Sequence, residues 1–148
     1  MKKTILCLLL LPISIFAQTL PDSTQLLQDL RWFSSDILGG RRPGSPGGRA
    51  AAQYLSAFFA FQGLKSFKDQ YFHPFTVNRG NASLSGKNVL GYIEGTEQPQ
   101  IWMVISAHYD HVGTMNNQVY NGADDNASGT AGLLQIAAYF SKNKPRHS

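Results

Sequence analysis

The chain has 148 residues, with 13 Lys and Arg against 9 Asp and Glu for a formal net charge of +4, and 43% of it is hydrophobic. That length and apolar share suit one domain with its own core and argue against an intrinsically disordered tail. A single cysteine, Cys7, excludes a disulfide framework and a Cys-rich zinc module, and so small a cationic surplus gives no reason to expect nucleic acid or anionic lipid as a partner.

Lys2 and Lys3 precede an apolar run from Thr4 to Phe16, which ends at Ala17 and Gln18. This charged, apolar and small-residue order is that of a secretory signal peptide over residues 1–17. The run is too short for a bilayer, which takes about 20 apolar residues. The expected product is exported, periplasmic or extracellular, with a domain over residues 18–148 and no membrane span after cleavage. It would then hold no cysteine, so any metal site must use histidine and carboxylates.

Leu26, Leu27, Leu30, Phe33 and Ile37 recur at helical spacing between Pro21-Asp22 and Gly39-Gly40 and predict a first helix. A basic, Gly-rich loop from Arg41 to Gly48 leads to a second, in which Ala51, Tyr54, Leu55, Phe58, Phe59 and Phe61 form an apolar stripe ending at Gly63. The loop follows a helix and lacks G-K-[ST], so it reads as a turn between helices and not as a phosphate cradle. The pattern then becomes strand-like over Tyr71–Val77, Asn88–Ile93 and Ile101–Ala107. The last of these is nearly all apolar, as a central strand covered on both faces should be. A third helix is predicted over Ser128–Lys142.

No serine lies in G-x-S-x-G, so a nucleophile elbow is absent. Two Asn-x-Ser sequons, at Asn81 and Asn126, are short patterns common by chance. The informative stretch is His108-Tyr-Asp-His-Val-Gly113 followed by Tyr120-Asn-Gly-Ala-Asp-Asp-Asn-Ala-Ser-Gly129. His108 directly follows the apolar strand, at the carboxyl end where open α/β sheets place their ligands. Asp110, two residues on, can face the same side and orient the His108 ring, although a lone His-x-Asp also occurs by chance. Asp124 and Asp125 crowd two carboxylates into a glycine-flanked loop before a helix. One would serve as a cap, which leaves a metal role for the other. An EF-hand start over Asp124, Asn126 and Ser128 fails at its twelfth position, Gln135, where a bidentate Glu is required. His with carboxylate and no thiolate suits catalytic zinc.

These residues resemble the co-catalytic di-zinc aminopeptidases of metallopeptidase family 28, a family that also contains glutaminyl cyclases. The resemblance extends from Gly-Arg-Arg-Pro-Gly-Ser-Pro-Gly (residues 40–47), through Gly86-Lys87-Asn88-Val89, to the two motifs just quoted. It implies a three-layer α/β sandwich with a mostly parallel central sheet flanked by helices. It implies a site with two Zn2+ in which His108 binds one ion, Asp125 bridges both and Asp110 is the active-site carboxylate behind His108, with Asp124 and His111 in supporting positions. A cis peptide bond at Asp125-Asn126 is also implied. The implied activity is removal of residues from the amino end of a peptide or protein substrate with a free N-terminus, the water being deprotonated by a glutamate. In the family that glutamate and the remaining ligands come later in the chain, whereas no Asp or Glu follows Asp125 here and the only later histidine, His147, lies in a polar tail. The resemblance therefore implies an N-terminal portion, inactive and weakly metal-binding on its own. A catalytically inactive binding module and a glutaminyl-cyclase-like acyltransferase are the other functions compatible with these motifs.

Overall fold

A computed structural model describes residues 22–80 and 82–148. The signal peptide expected over residues 1–17 lies outside them. Helix α1 (Ser23–Phe33) begins where the Asp22 carboxylate accepts from the amides of Thr24 and Gln25, relieving two of the donors left free at a helix start. Helix α2 (Pro46–Phe61) is capped by Ser45, whose hydroxyl accepts from Gly48 N at 3.0 Å, with Pro46 at its first position. Between them a tight helical turn over Asp36–Arg41 replaces the expected continuation of the first helix, with Gly39, Gly40 and Arg41 all at positive φ.

Phe33 of α1, Leu38 of the turn, Ala51, Leu55 and Phe59 of α2, Leu64, Ala127 and Leu134 form one buried cluster. The stripe on α2 is core as expected as far as Phe59, whereas Phe61 at its end is 86% exposed. Trp32 stacks on Tyr54 with ring centroids 4.5 Å apart, and Tyr54 hydroxyl donates to the buried Asp29 carboxylate. Asp29 also accepts from Gln25 at 2.9 Å and from Gln135 of the third helix at 3.4 Å. This buried carboxylate thus joins all three helices through neutral donors.

Strands β1 (Phe72–Arg79) and β2 (Ala82–Val89) pair antiparallel from Phe72 opposite Val89 to Arg79 opposite Ala82. A second hairpin joins β3 (Gly113–Met115) to β4 (Gln118–Tyr120) through Asn116 and Asn117, both at positive φ as a two-residue type I′ turn requires. Helix α3 spans Ser128–Lys142, the range expected from its periodicity.

The mixture of helices and strands agrees with an α/β class, but the mostly parallel central sheet does not form among the described residues, where both sheets are two-stranded and antiparallel. The strand expected over Asn88–Ile93 ends its pairing at Val89, and Tyr92 instead bridges Lys65. The segment Ile101–Ala107, expected as the buried central strand, has no strand partner. Ile101 N turns back to Gln98 O, and the segment otherwise meets the end of the chain, where Met103 N donates to Ser148 O and Ser148 N to Ile101 O. A strand exists by its ladder, so with only the chain end beside its first residues this segment stays outside any sheet and exposed. Trp102 is 51%, Met103 71% and Val104 84% exposed. The polar tail runs alongside residues 96–103, with Thr96 N donating to Pro145 O and Gln98 N to Arg146 O. An open apolar cleft of about 1330 Å³ separates Val104 and its neighbours from Phe59 on α2 and from Leu133 and Ile136 on α3.

Candidate metal site

His108, at the end of the apolar segment, is held from behind by α3, where the buried Thr130 hydroxyl donates to His108 O at 3.0 Å. Its ring is oriented by Asp110, though not as expected. The nearer partner of His108 Nδ1 is the main-chain oxygen of Asp110 at 3.0 Å, while the carboxylate lies at 3.6 Å, beyond hydrogen-bond reach. With Nδ1–H donating to that carbonyl, Nε2 presents its lone pair outward, the tautomer a metal-ligating histidine needs.

Nε2 points at Asp125, whose Oδ1 stands 3.0 Å away, and Asp125 Oδ2 faces His111 Nδ1 at 3.5 Å. Asp125 thus lies between two imidazoles. The Asp125-Asn126 peptide bond is cis, as the resemblance implied. Capping falls to neither aspartate: the first turn of α3 is served by Asn126 Oδ1, which accepts from Gly129 N at 3.2 Å. Asp124 contributes only its carbonyl, to Ser128 hydroxyl at 3.2 Å. The Asp125 carboxylate is left free for the histidines, and Gly122 makes its approach possible. At Gly122, φ is +56°, and a Cβ there would stand 2.5 Å from Asp125 O and 2.6 Å from His111 Cγ.

A ring-nitrogen lone pair and a carboxylate oxygen 3.0 Å apart need a positive species between them, a proton or a metal ion. Two donors about 2.0–2.1 Å from one ion at the tetrahedral angle stand about 3.3 Å apart, close to what is observed. His108 and Asp125 therefore fit as two corners of a zinc shell. They do not complete it: no group of three or more His, Cys, Asp or Glu side chains poised to hold a metal ion occurs among the described residues.

Arg41 opens the loop expected as a turn between the first two helices. It is fully buried. Its Nε donates to Tyr109 O at 2.7 Å, Nη1 to Asn121 O at 2.6 Å and to Phe33 O, and Nη2 to Gly122 O at 3.0 Å. Burial lowers its pKa from the ordinary value, and the charges of Asp110 and Asp125 oppose that shift. The Tyr109 hydroxyl, which donates to Lys87 O, is raised by burial and by the Asp110 charge. No local sequence signal marks Arg41, since its acceptors are carbonyls up to 81 residues away.

Fold and site together describe an α/β chain with an imidazole–carboxylate pair at the end of an apolar segment. Residues 88–148 match the family model described as peptidase family M28. A vacuolar membrane protease of Schizophyllum commune is 33% identical over 87 residues, covering 53% of this chain and 9% of that protein. The uncharacterised protein YfbL of Escherichia coli K12 is 27% identical over 158 aligned positions, covering 96% of this chain and 45% of that one. Among solved structures, a leucine aminopeptidase precursor from Bacteroides thetaiotaomicron superposes with a TM-score of 0.58 at 17% identity, over 88% of this chain and 46% of that one. The likeness in fold is clear, and the chain spans less than half the length of each of these relatives. No helix among the described residues is long and apolar enough to cross a membrane.

Proposed function

We propose that the chain supplies one half of a dinuclear zinc centre in an aminopeptidase that removes residues from the free N-terminus of peptide or protein substrates after export. The observation that carries this reading is the 3.0 Å approach of His108 Nε2 to Asp125 Oδ1, made within the stretch that matches the peptidase family. His108 gives a nitrogen donor whose other ring nitrogen is tied to Asp110 O, and Asp125 gives a carboxylate with two usable oxygens, as a bridging ligand needs. On this reading Asp110 is the active-site carboxylate behind His108, 3.6 Å from the ring and outside direct hydrogen-bond reach. The chemistry that a bound zinc pair supplies is Lewis-acid polarisation of the scissile carbonyl and acidification of a water.

Residues 18–148 form, on this reading, the N-terminal portion of a larger domain. The exposed Ile101–Ile105 segment and the apolar cleft beside α3 are where further strands of a central sheet would pair, and the missing ligands and the general base would arrive with them. The test is to extend the coding frame past Ser148, express the longer product and assay an aminoacyl-4-nitroanilide beside its N-acetylated form. Zinc-dependent cleavage of the free-amine reporter alone is expected. Equal cleavage of both reporters, or a genuine stop codon directly after Ser148, would overturn the reading.

A further inference from the structure

We infer that Arg41 is a positioning residue that sets the register between the two halves of the site, holding the loop of His108 against the loop of Asp125. The inference rests on the metal reading of those two residues. Tyr109, whose carbonyl accepts from Arg41 Nε, lies between His108 and Asp110; Asn121 and Gly122, whose carbonyls accept from its Nη atoms, lie just ahead of Asp125. One rigid, planar group therefore spans both motifs, and a fourth contact, to Phe33 O, fixes it to the end of α1. The main chain of Arg41 adds to the hold, since its carbonyl accepts from His111 N at 3.4 Å.

Each partner of the guanidinium is a main-chain carbonyl, so the contacts place backbone, and through it the Cα positions of the two donors. A fork of five N–H donors can serve four carbonyls in different directions, which a lysine ammonium with three donors on a flexible stem cannot. Burying this cation is costly unless its donors are used, and no ion pair among the described residues includes it. Arg41 also sits at φ +50°, a region an L-residue avoids without compensation. A residue kept for volume alone would need neither the charge nor that backbone. The Thr130 hydroxyl ties His108 to α3 but does not reach the Asn121–Gly122 carbonyls. Among the described residues, outside the His108, His111 and Asp125 side chains themselves, Arg41 is the side chain that hydrogen-bonds to both loops.

The experiment compares the full chain with Arg41→Lys and Arg41→Met. Tyr54→Phe serves as a control that removes a buried hydrogen bond in the helical core. Hydrogen exchange is followed by mass spectrometry over residues 108–112, 121–127 and helices α1 and α2, and Co2+ uptake by its visible absorption. In Arg41→Met both loops are expected to lose protection at least tenfold while α1 and α2 change less than twofold, and the Co2+ affinity should fall at least tenfold. Arg41→Lys should lie between, and it carries the comparison if Arg41→Met does not fold. Tyr54→Phe should loosen the helices and leave the Co2+ spectrum unchanged. Loops as protected as in the parent chain, helices loosened as much as the loops, or a folded variant with unaltered Co2+ binding would each overturn the inference. If the parent chain takes up no Co2+, the metal reading fails by itself and hydrogen exchange alone decides the role of Arg41.

Discussion

Two glycine substitutions separate the backbone cost of a left-handed residue from the cost of crowding the site. Gly63, after α2, has φ +72° with nothing within 4 Å of the position a Cβ would take, so Gly63→Ala meets only the left-handed conformation, about 1–2 kcal/mol. Gly122 has φ +56° and meets in addition the carbonyl of Asp125 at 2.5 Å and the His111 ring at 2.6 Å. The added methyl forces a shift of main chain, a perturbation of the kind that costs about 1–3 kcal/mol more. For a chain of this size 1 kcal/mol moves the melting temperature by roughly 4 °C. Gly63→Ala should therefore lower it by about 4–8 °C with metal uptake unchanged, and Gly122→Ala should lower it about twice as far and weaken uptake at His108 and Asp125. Melting followed by circular dichroism, with Co2+ titration of both variants, makes the comparison. Equal melting temperatures and equal Co2+ affinities for the two variants would refute the crowding of Asp125 and His111 described above.

The helical core predicts a pH effect. Burial, and then the hydrogen bond to Asp29 and its charge, raise the Tyr54 pKa well above 10, so its stabilising contribution is fully present below about pH 10, the unfolded value, and is lost as pH rises through the folded one. Absorbance at 295 nm during an alkaline titration should show Tyr54 ionising only with unfolding. The buried Tyr109 is raised as well, so Tyr54→Phe should diminish that late step by one tyrosine without abolishing it, and an undiminished step would contradict the assignment. Val104, 84% exposed in an unpaired apolar segment, should accept Val104→Lys with a stability change within about 0.5 kcal/mol and with less aggregation by light scattering. A loss above about 2 kcal/mol would mean that the segment is packed.

Local patterns proved reliable where local physics decides. The opening of α1 at Asp22, the apolar stripe of α2 as far as Phe59 and the range of α3 each follow from residues within one or two turns. The β3–β4 hairpin escaped notice, although Asn116-Asn117 is a turn signal, because strands of three residues are too short to show a period. The apolar run Ile101–Ala107 carried a correct statement about its chemistry and an incorrect one about its surroundings: it has the composition of a central strand, but pairing is a property of neighbours that composition cannot supply. At the site, the motifs marked His108 and one of Asp124 and Asp125, the family resemblance selected Asp125, and His108 and Asp125 lie 3.0 Å apart in the structure. That His108 would lean on the carbonyl of Asp110 more closely than on its carboxylate, and that His111 would face the second oxygen of Asp125, depended on loop conformation. The role of Arg41 was illegible because nothing local distinguishes it from its neighbour Arg42 until its distant acceptors are known.

The central claim is that His108 and Asp125 are donors to one metal ion. The direct measurement is zinc binding by the full chain, by isothermal titration calorimetry at pH 7, for the parent, His108→Ala and Asp125→Asn. Two protein donors leave a tetrahedral shell half filled, so the parent should bind weakly, with a Kd of about 1 μM or above, and each substitution should weaken it at least tenfold further. Submicromolar binding by the parent, or binding unchanged by either substitution, would contradict the account.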